Sequence, residues 1–95
     1  MARIYQSTNM GDADVRVALV PRERADLLVH RVGSWGLAHG DAMWFVTRER
    51  QDATARVYFT SPGFAQLAIC FVEHAAEAGW VRPHRFKDCL SRGGT

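Results

Sequence analysis

The sequence predicts an all-β, or nearly all-β, domain of about seven short strands, built from six repeated units of about 13 residues each. These units form two pseudo-symmetric 40-residue halves, residues 2–40 and 42–80. Three observations support this prediction: regularly spaced alanines, a match of the first half of the chain to the second, and a β-rich stretch after most of the alanines.

The alanines set the period. Ala13, Ala25, Ala38, Ala53, Ala65 and Ala78 recur at nearly even intervals, and the series of intervals itself repeats. Laying residues 2–40 on 42–80 places the first three alanines on the last three without a gap, and nine of the 39 positions compared are then identical. Self-similarity at a fixed period indicates a repeat architecture. The alternative is coincidence in an alanine-rich chain.

The stretches between the alanines have the composition of strands. They span residues 15–20, 27–32, 42–46, 55–60 and 67–72, and residues 2–6 and 81–86 resemble a first and a last copy. They are rich in β-branched and aromatic residues, which favour strands, and they are too short for free-standing helices. Alternation around Arg16 predicts a half-exposed second strand, whereas residues 67–72 are apolar on both faces and predict a central buried strand.

The connectors contain Pro, Gly or charged residues, which predicts turns. Residues 22–26 and 73–78 are expected to make one helical turn that ends at the alanine. The alanine would then be a small residue where the chain turns back against a strand. Its presence by default, without a steric demand, is the alternative.

Length and composition favour one globular domain over residues 1–90, with a flexible tail at 91–95. Of the 95 residues, 47% are hydrophobic and 11% aromatic, and the net charge is only +2, which excludes a disordered chain. The longest apolar run, residues 67–72, is far short of a membrane span, and residues 1–5 show no apolar run of signal-peptide length. Two cysteines do not make a disulfide framework. We therefore expect a cytoplasmic protein that does not enter a membrane.

The most basic stretch is residues 81–87, and it holds the candidate anion-binding residues Arg82, Arg85 and Lys87, with Trp80 just before them. Basic residues interleaved with aromatic ones can bind phosphates and stack on bases. The stretch is therefore a candidate site for RNA or another polyanion. An ordinary soluble C-terminal strand and tail is the alternative.

Candidate catalytic residues are few. His39 and Asp41 are near neighbours, and a His–carboxylate pair can perform acid–base chemistry, as can His84. Because no nucleophile stands beside the pair, a glycine-containing turn with solvated polar residues is the favoured interpretation. The four histidines are too widely spaced along the chain for a metal-site motif, and no cofactor motif is present.

One resemblance covers about residues 2–86. The alanine-anchored unit, the strands at 56–61 (RVYFTS) and 67–72 (LAICFV), and the ending at 78–80 (AGW) followed by His84 resemble a family of short, repeat-containing bacterial proteins of unknown function. Similar small proteins are thought to be deeply knotted, so the resemblance implies a knotted chain. It implies no catalytic residues.

These observations leave three functional interpretations open. The first is a compact binding or structural module of unknown target and unknown oligomeric state. The second is an RNA- or anion-binding module that uses the basic C-terminal segment. The third is a small enzyme that uses His39 and Asp41, or His84.

Overall fold

The computed structural model describes residues 2–37, 40–87 and 90, and within these residues the protein is all-β, as the sequence predicts. The strands are β1 (Ala2–Gln6), β2 (Val15–Leu19), β3 (Leu27–Arg31), β4 (Met43–Thr47), β5 (Ala55–Phe59), β6 (Leu67–Phe71) and β7 (Gly79–Trp80). Six 3-10 turns lie between them: η1 (Met10–Asp12), η2 (Arg22–Arg24), η3 (Trp35–Leu37), η4 (Arg50–Asp52), η5 (Pro62–Phe64) and η6 (Ala75–Glu77).

Strands β1 to β6 are parallel and close into a barrel in the order β1, β5, β2, β6, β3, β4, with β4 returning to β1. The chain therefore goes round the barrel twice, and the second half fills the gaps that the first half leaves. Each strand of the first half lies beside its counterpart in the second half. The register pairs Ala2 with Trp44, Val15 with Val57, and Leu27 with Ile69.

The spaced alanines end the 3-10 turns. Ala13, Ala25, Ala53, Ala65 and Ala78 each donate the backbone N–H to the C=O of the first residue of the preceding turn. This confirms the helical turns expected at 22–26 and 73–78, and three further connectors use the same turn. Ala38 lies outside the described residues.

The polar residue after the alanine fastens the next strand. The Asp14 N–H donates to the Arg56 C=O at 2.7 Å, and Asp14 Oδ2 accepts the Arg56 N–H at 2.9 Å. The same reciprocal pair joins Asp26 to Ala68, Thr54 to Arg3, and Gln66 to Arg16. A side-chain acceptor is therefore needed at this position, which explains why it is polar.

The side chains inside the barrel form three layers, each made of three pairs of residues that are equivalent in the two halves. At the amino-terminal ends lie Ala2 and Ala42, Val15 and Ala55, Leu27 and Leu67. The middle layer contains Ile4 and Trp44, Val17 and Val57, Val29 and Ile69, all exposed by 1% or less. The third layer, at the carboxyl-terminal ends, contains Gln6 and Val46, Leu19 and Phe59, Arg31 and Phe71. The interior of a barrel of only six strands is too narrow to hold more than side chains. Side chains therefore fill the amino-terminal and middle layers completely.

The C-terminal segment, residues 81–87 and 90, closes the amino-terminal end of the barrel through Phe86 and Leu90. Leu90 is fully buried in the same cluster as Ala2 and Ala55, with Phe86 packed against it. The Thr54 hydroxyl donates to the Leu90 C=O at 2.6 Å, which fixes the segment beside the start of β5. The small alanines of the first layer leave room for this packing.

Two expectations for individual strands were wrong. Strand β6 is not buried on both faces: Ala68 and Cys70 are half-exposed, because only short turns cover the outside of the barrel. The seventh strand spans Gly79–Trp80 rather than 81–86, and it runs antiparallel to β3. Gly79 has a φ of 151°, which an L side chain rarely adopts, and it reverses the chain there. The tail at 91–95 lies outside the described residues.

Candidate binding site

The carboxyl-terminal ends of the six barrel strands surround an open cavity of about 370 Å³, here called the barrel mouth. Its walls are the third layer of inward side chains: Gln6, Leu19, Arg31, Val46, Phe59 and Phe71. The middle-layer residues Ile4 and Trp44 form its floor. The inward-facing positions of the strands thus continue one layer beyond the buried core. No other segment of the described chain covers this last layer.

The walls are apolar and accessible. Leu19 is 56% exposed, Val46 42% and Phe71 36%, while the floor below them is buried. Exposed large hydrophobic residues that are scattered singly need no explanation, but Phe59, Leu19 and Phe71 stand side by side on neighbouring strands around the cavity, an arrangement typical of a ligand or partner site. The barrel mouth is thus unlike its opposite end, which the C-terminal segment closes.

Trp44 makes the floor rigid. Its indole is fully buried, and Nε1 donates to the Asp41 C=O at 2.6 Å. The rings of Trp44 and Phe71 form an edge-to-face pair. Their centres are 6.2 Å apart, and the angle between the ring planes is 86°. This arrangement is the favourable one for aromatic pairs, so it holds the Phe71 ring in place on the wall.

Arg31 supplies the one charge among the described residues that line the mouth, and Gln6 supplies an amide. The guanidinium carbon of Arg31 lies 5.6 Å from the centre of the Phe71 ring, a cation–π contact. Within residues 2–37, 40–87 and 90, no acidic side chain forms an ion pair with Arg31. By contrast, Arg22, Arg50, Arg56 and Arg82 each pair with a carboxylate.

The predicted anion-binding residues lie outside the barrel mouth, in β7 and the C-terminal segment that follows it. Trp80, Arg82 and Lys87 line a second cleft of about 360 Å³ together with His84. The Nε atom of Arg82 lies 3.5 Å from Asp26 Oδ1, so this cation already forms an ion pair within the protein. Arg85 instead lies with its guanidinium carbon 5.0 Å from the centre of the Phe86 ring.

Aromatic rings organise this cleft. The His84 ring stacks between Trp80 and Phe86, with 5.5 Å between ring centres on each side. Its Nδ1 accepts the Phe86 N–H at 3.2 Å, and its Nε2 lies 3.6 Å from Asp26 Oδ2. Both ring nitrogens are thus engaged by the protein itself.

Of the candidate catalytic residues, Asp41 and His84 lie in the part of the chain that the structure describes. His39 lies outside that part of the chain. Asp41 is 6% exposed, and its Oδ2 accepts the indole N–H of Trp80 at 3.0 Å. Its C=O holds the indole of Trp44, so Asp41 positions two tryptophans.

None of the residues that line the mouth was among the candidate site residues in the sequence. The sequence pattern that identifies them is the last inward position of each strand. Leu19, Phe59 and Phe71 continue the apolar alternation to the strand end, where a solvated strand would become polar. Arg31 in the first half is equivalent to Phe71 in the second half. At this position a charged side chain in one half therefore corresponds to an aromatic side chain in the other.

In the part of the chain that the structure describes, no three His, Cys, Asp or Glu side chains are grouped so that they could hold a metal ion. Each described helical segment is a three-residue turn, and none is long and apolar enough to cross a membrane.

The chain was compared with protein-family models, curated proteins and solved structures. A family model described as the 7(1) septoil knot domain matches residues 1–81. No curated protein and no solved structure matches the chain significantly. Because the match covers most of the 95 residues, the chain belongs to the septoil knot domain family.

Proposed function

We propose that the protein is a non-catalytic binding module and that the barrel mouth is its ligand site. The observation that carries this proposal is the open, apolar cavity of about 370 Å³ at the carboxyl-terminal ends of the parallel strands. The sequence predicts a binding or structural module without indicating where a ligand would bind. The proposal assigns that site to the barrel mouth.

The size and lining of the mouth support a small ligand. Small-molecule sites are typically concave, have volumes of ~300–1,000 Å³, and combine apolar walls with a few polar groups. The mouth has apolar walls with Arg31 and Gln6 as its polar groups. Ligands of parallel-strand proteins commonly bind at the carboxyl-terminal ends of the strands, where the barrel mouth lies.

The energetic gain comes from covering exposed apolar surface. Complete burial of a Leu or Phe side chain is worth ~1.5–3 kcal/mol, so covering the exposed part of Leu19 or Phe71 contributes about 1 kcal/mol each. A rigid floor adds to affinity, because few side chains need to be ordered on binding.

A titration with the uncharged fluorophore Nile red tests the proposal. Its emission rises when it enters an apolar site, and we expect one saturable site per chain. Leu19→Ser and Phe71→Ser should weaken binding, because both residues line the wall. Phe64→Ser is the matched control, since Phe64 is 68% exposed in η5 and lies outside the mouth. Absence of saturable binding, or binding that all three variants retain, would reject the proposal.

Anion binding at the C-terminal segment is the second candidate. It is supported by the cleft in which Trp80, Arg82, His84 and Lys87 meet. Retention of the protein on immobilised RNA at low salt, abolished in the Arg82→Ala, Arg85→Ala, Lys87→Ala triple variant, would support it. Each phosphate interaction that the variant removes should reduce the salt slope by ~1. Equal retention of the triple variant, or no retention of the parent, would reject it.

The proposal includes the cytoplasmic location expected from the sequence. Cys70 is a free thiol on the half-exposed outer face of β6. Such a thiol persists in a reducing compartment, which supports that location. The enzyme alternative gains no support from Asp41 or His84, whose polar atoms named above contact the protein itself.

A further inference from the structure

We infer that the barrel mouth selects a small amphipathic carboxylate, with the carboxylate on Arg31 and the apolar body over Ile4 and Trp44. This inference rests on the proposed function and adds the chemical class of the ligand. The relationship that carries it is one guanidinium on the wall of a cavity whose other lining residues, apart from Gln6, are apolar.

The placement of Arg31 favours an anion. Its contact with the Phe71 ring orients the planar guanidinium at the wall, and no ion pair within the described residues satisfies its charge. A guanidinium presents a fork of N–H donors that matches the two oxygens of a carboxylate.

Gln6 provides a second donor for the same group. Arg31 ends β3 and Gln6 ends β1, and β4 lies between these two strands. Two strand spacings separate them by about 10 Å, a distance that two long side chains can close from opposite sides. The side-chain amide of Gln6 is therefore able to donate to a carboxylate that Arg31 holds.

The charge of the lining favours a monoanion. Among the described residues only one cation lines the mouth, so a phosphate dianion would leave charge unbalanced beside Leu19 and Phe71. An unpaired charge against apolar surface is costly. A carboxylate with a short chain or a single ring matches both the charge and the volume of the cavity.

Calorimetry with three ligands of equal length tests the inference: octanoate, octanol and octylamine. We expect octanoate to bind about ten-fold or more tightly than octanol, because hydrogen bonds to charged groups are worth ~1.5–3 kcal/mol. Octylamine should bind most weakly.

Three variants locate the effect. Arg31→Gln should abolish the preference for octanoate over octanol, and Arg31→Lys should retain part of it, since the charge remains but the fork is removed. Arg24→Gln is the matched control, because Arg24 is exposed in η2, next to the amino-terminal end of β3. It should bind octanoate as the parent does.

The outcomes separate this inference from the proposed function. Equal binding of octanoate and octanol, unchanged in Arg31→Gln, would overturn the carboxylate preference and leave an apolar ligand site. No binding of either ligand, together with no Nile red binding, would overturn both. A mouth covered by a second copy of the chain, seen as a concentration-dependent dimer that Leu19→Ser dissolves, would also overturn the inference.

Discussion

The guanidinium carbon of Arg31 lies 5.6 Å from the centre of the Phe71 ring, and the two residues hold equivalent positions in the two halves of the chain. Arg31 is the last residue of β3, and Phe71 is the last residue of β6. The two strands are neighbours in the barrel, so the repeat brings an arginine and a phenylalanine face to face. Equivalent residues of the two halves thus form the wall of the mouth. Because this pair differs between the halves, the wall carries one positive charge.

Arg31→Gln should leave the free energy of unfolding within about 1 kcal/mol of the parent. The residue is exposed, and a cation–π contact at an exposed site is worth ~0.5–1 kcal/mol. Urea unfolding measures the difference. A destabilisation well above that range would show that Arg31 maintains the fold rather than serving a ligand.

The polar residues that follow four of the alanines, Asp14, Asp26, Thr54 and Gln66, should contribute more to stability than their exposure suggests. Gln66→Ala removes the side-chain acceptor of the Arg16 N–H, a bond of 3.0 Å at the start of β2, and should cost ~0.5–1.5 kcal/mol. Gln51→Ala is the matched control, because the Gln51 amide contacts only the exposed carboxylate of Glu49 among the described residues. Equal urea midpoints for the two variants would contradict the proposed fastening of strands.

The spaced alanines should differ in their tolerance of a larger side chain. Ala25 is fully buried, so Ala25→Leu should cost ~1–3 kcal/mol by overpacking. Ala65 ends the equivalent turn but is half-exposed, so Ala65→Leu should cost less. Arg24→Leu, in the exposed turn beside Ala25, is the control and should change stability by less than ~0.5 kcal/mol. If Ala25→Leu unfolds at the parental urea midpoint, close packing is not the reason for the alanine.

The ion pair between η2 and η6 should be visible in the titration of Glu77. The hydrogen bond from Arg22 lowers the pKa of Glu77 below its ordinary value of 4.5. The associated stability is therefore present above pH 4.5 and is lost as the pH falls through the lower pKa of the folded state. Carboxyl NMR should show this depressed pKa in the parent, and Arg22→Gln should return it toward 4.5. A pKa of Glu77 that does not respond to the variant would show that the pair does not form in solution.

Much of the fold could be predicted from the sequence, because the periodic alanines and the short β-rich stretches are local features. The strand starts at Val15, Leu27, Ala55 and Leu67 are where the pattern predicts them. The parallel closure and the two-turn winding could not be predicted, because pairs such as Val15 with Val57 join distant parts of the chain. The knot stays a prediction from the resemblance and the family description.

The site was harder to predict than the fold. The high density of positive charge in residues 81–87 indicated Arg82, Arg85 and Lys87 as site residues. The structure places these residues outside the barrel mouth. Arg31 was missed because a single arginine at the end of a strand resembles any solvated residue. Its value as a site residue depends on closure of the barrel, which brings it beside Phe71 and above the floor.

NMR mapping of octanoate binding shows whether the ligand lies in the barrel mouth. Amide spectra of the uniformly labelled chain are recorded during a titration at constant pH. We predict that the largest changes fall on the carboxyl-terminal ends of the six barrel strands, at residues 4–7, 17–20, 29–32, 44–47, 57–60 and 69–72, and on the indole of Trp44, which forms the floor of the mouth. Changes confined to residues 80–87, or no saturable change at all, would contradict the account.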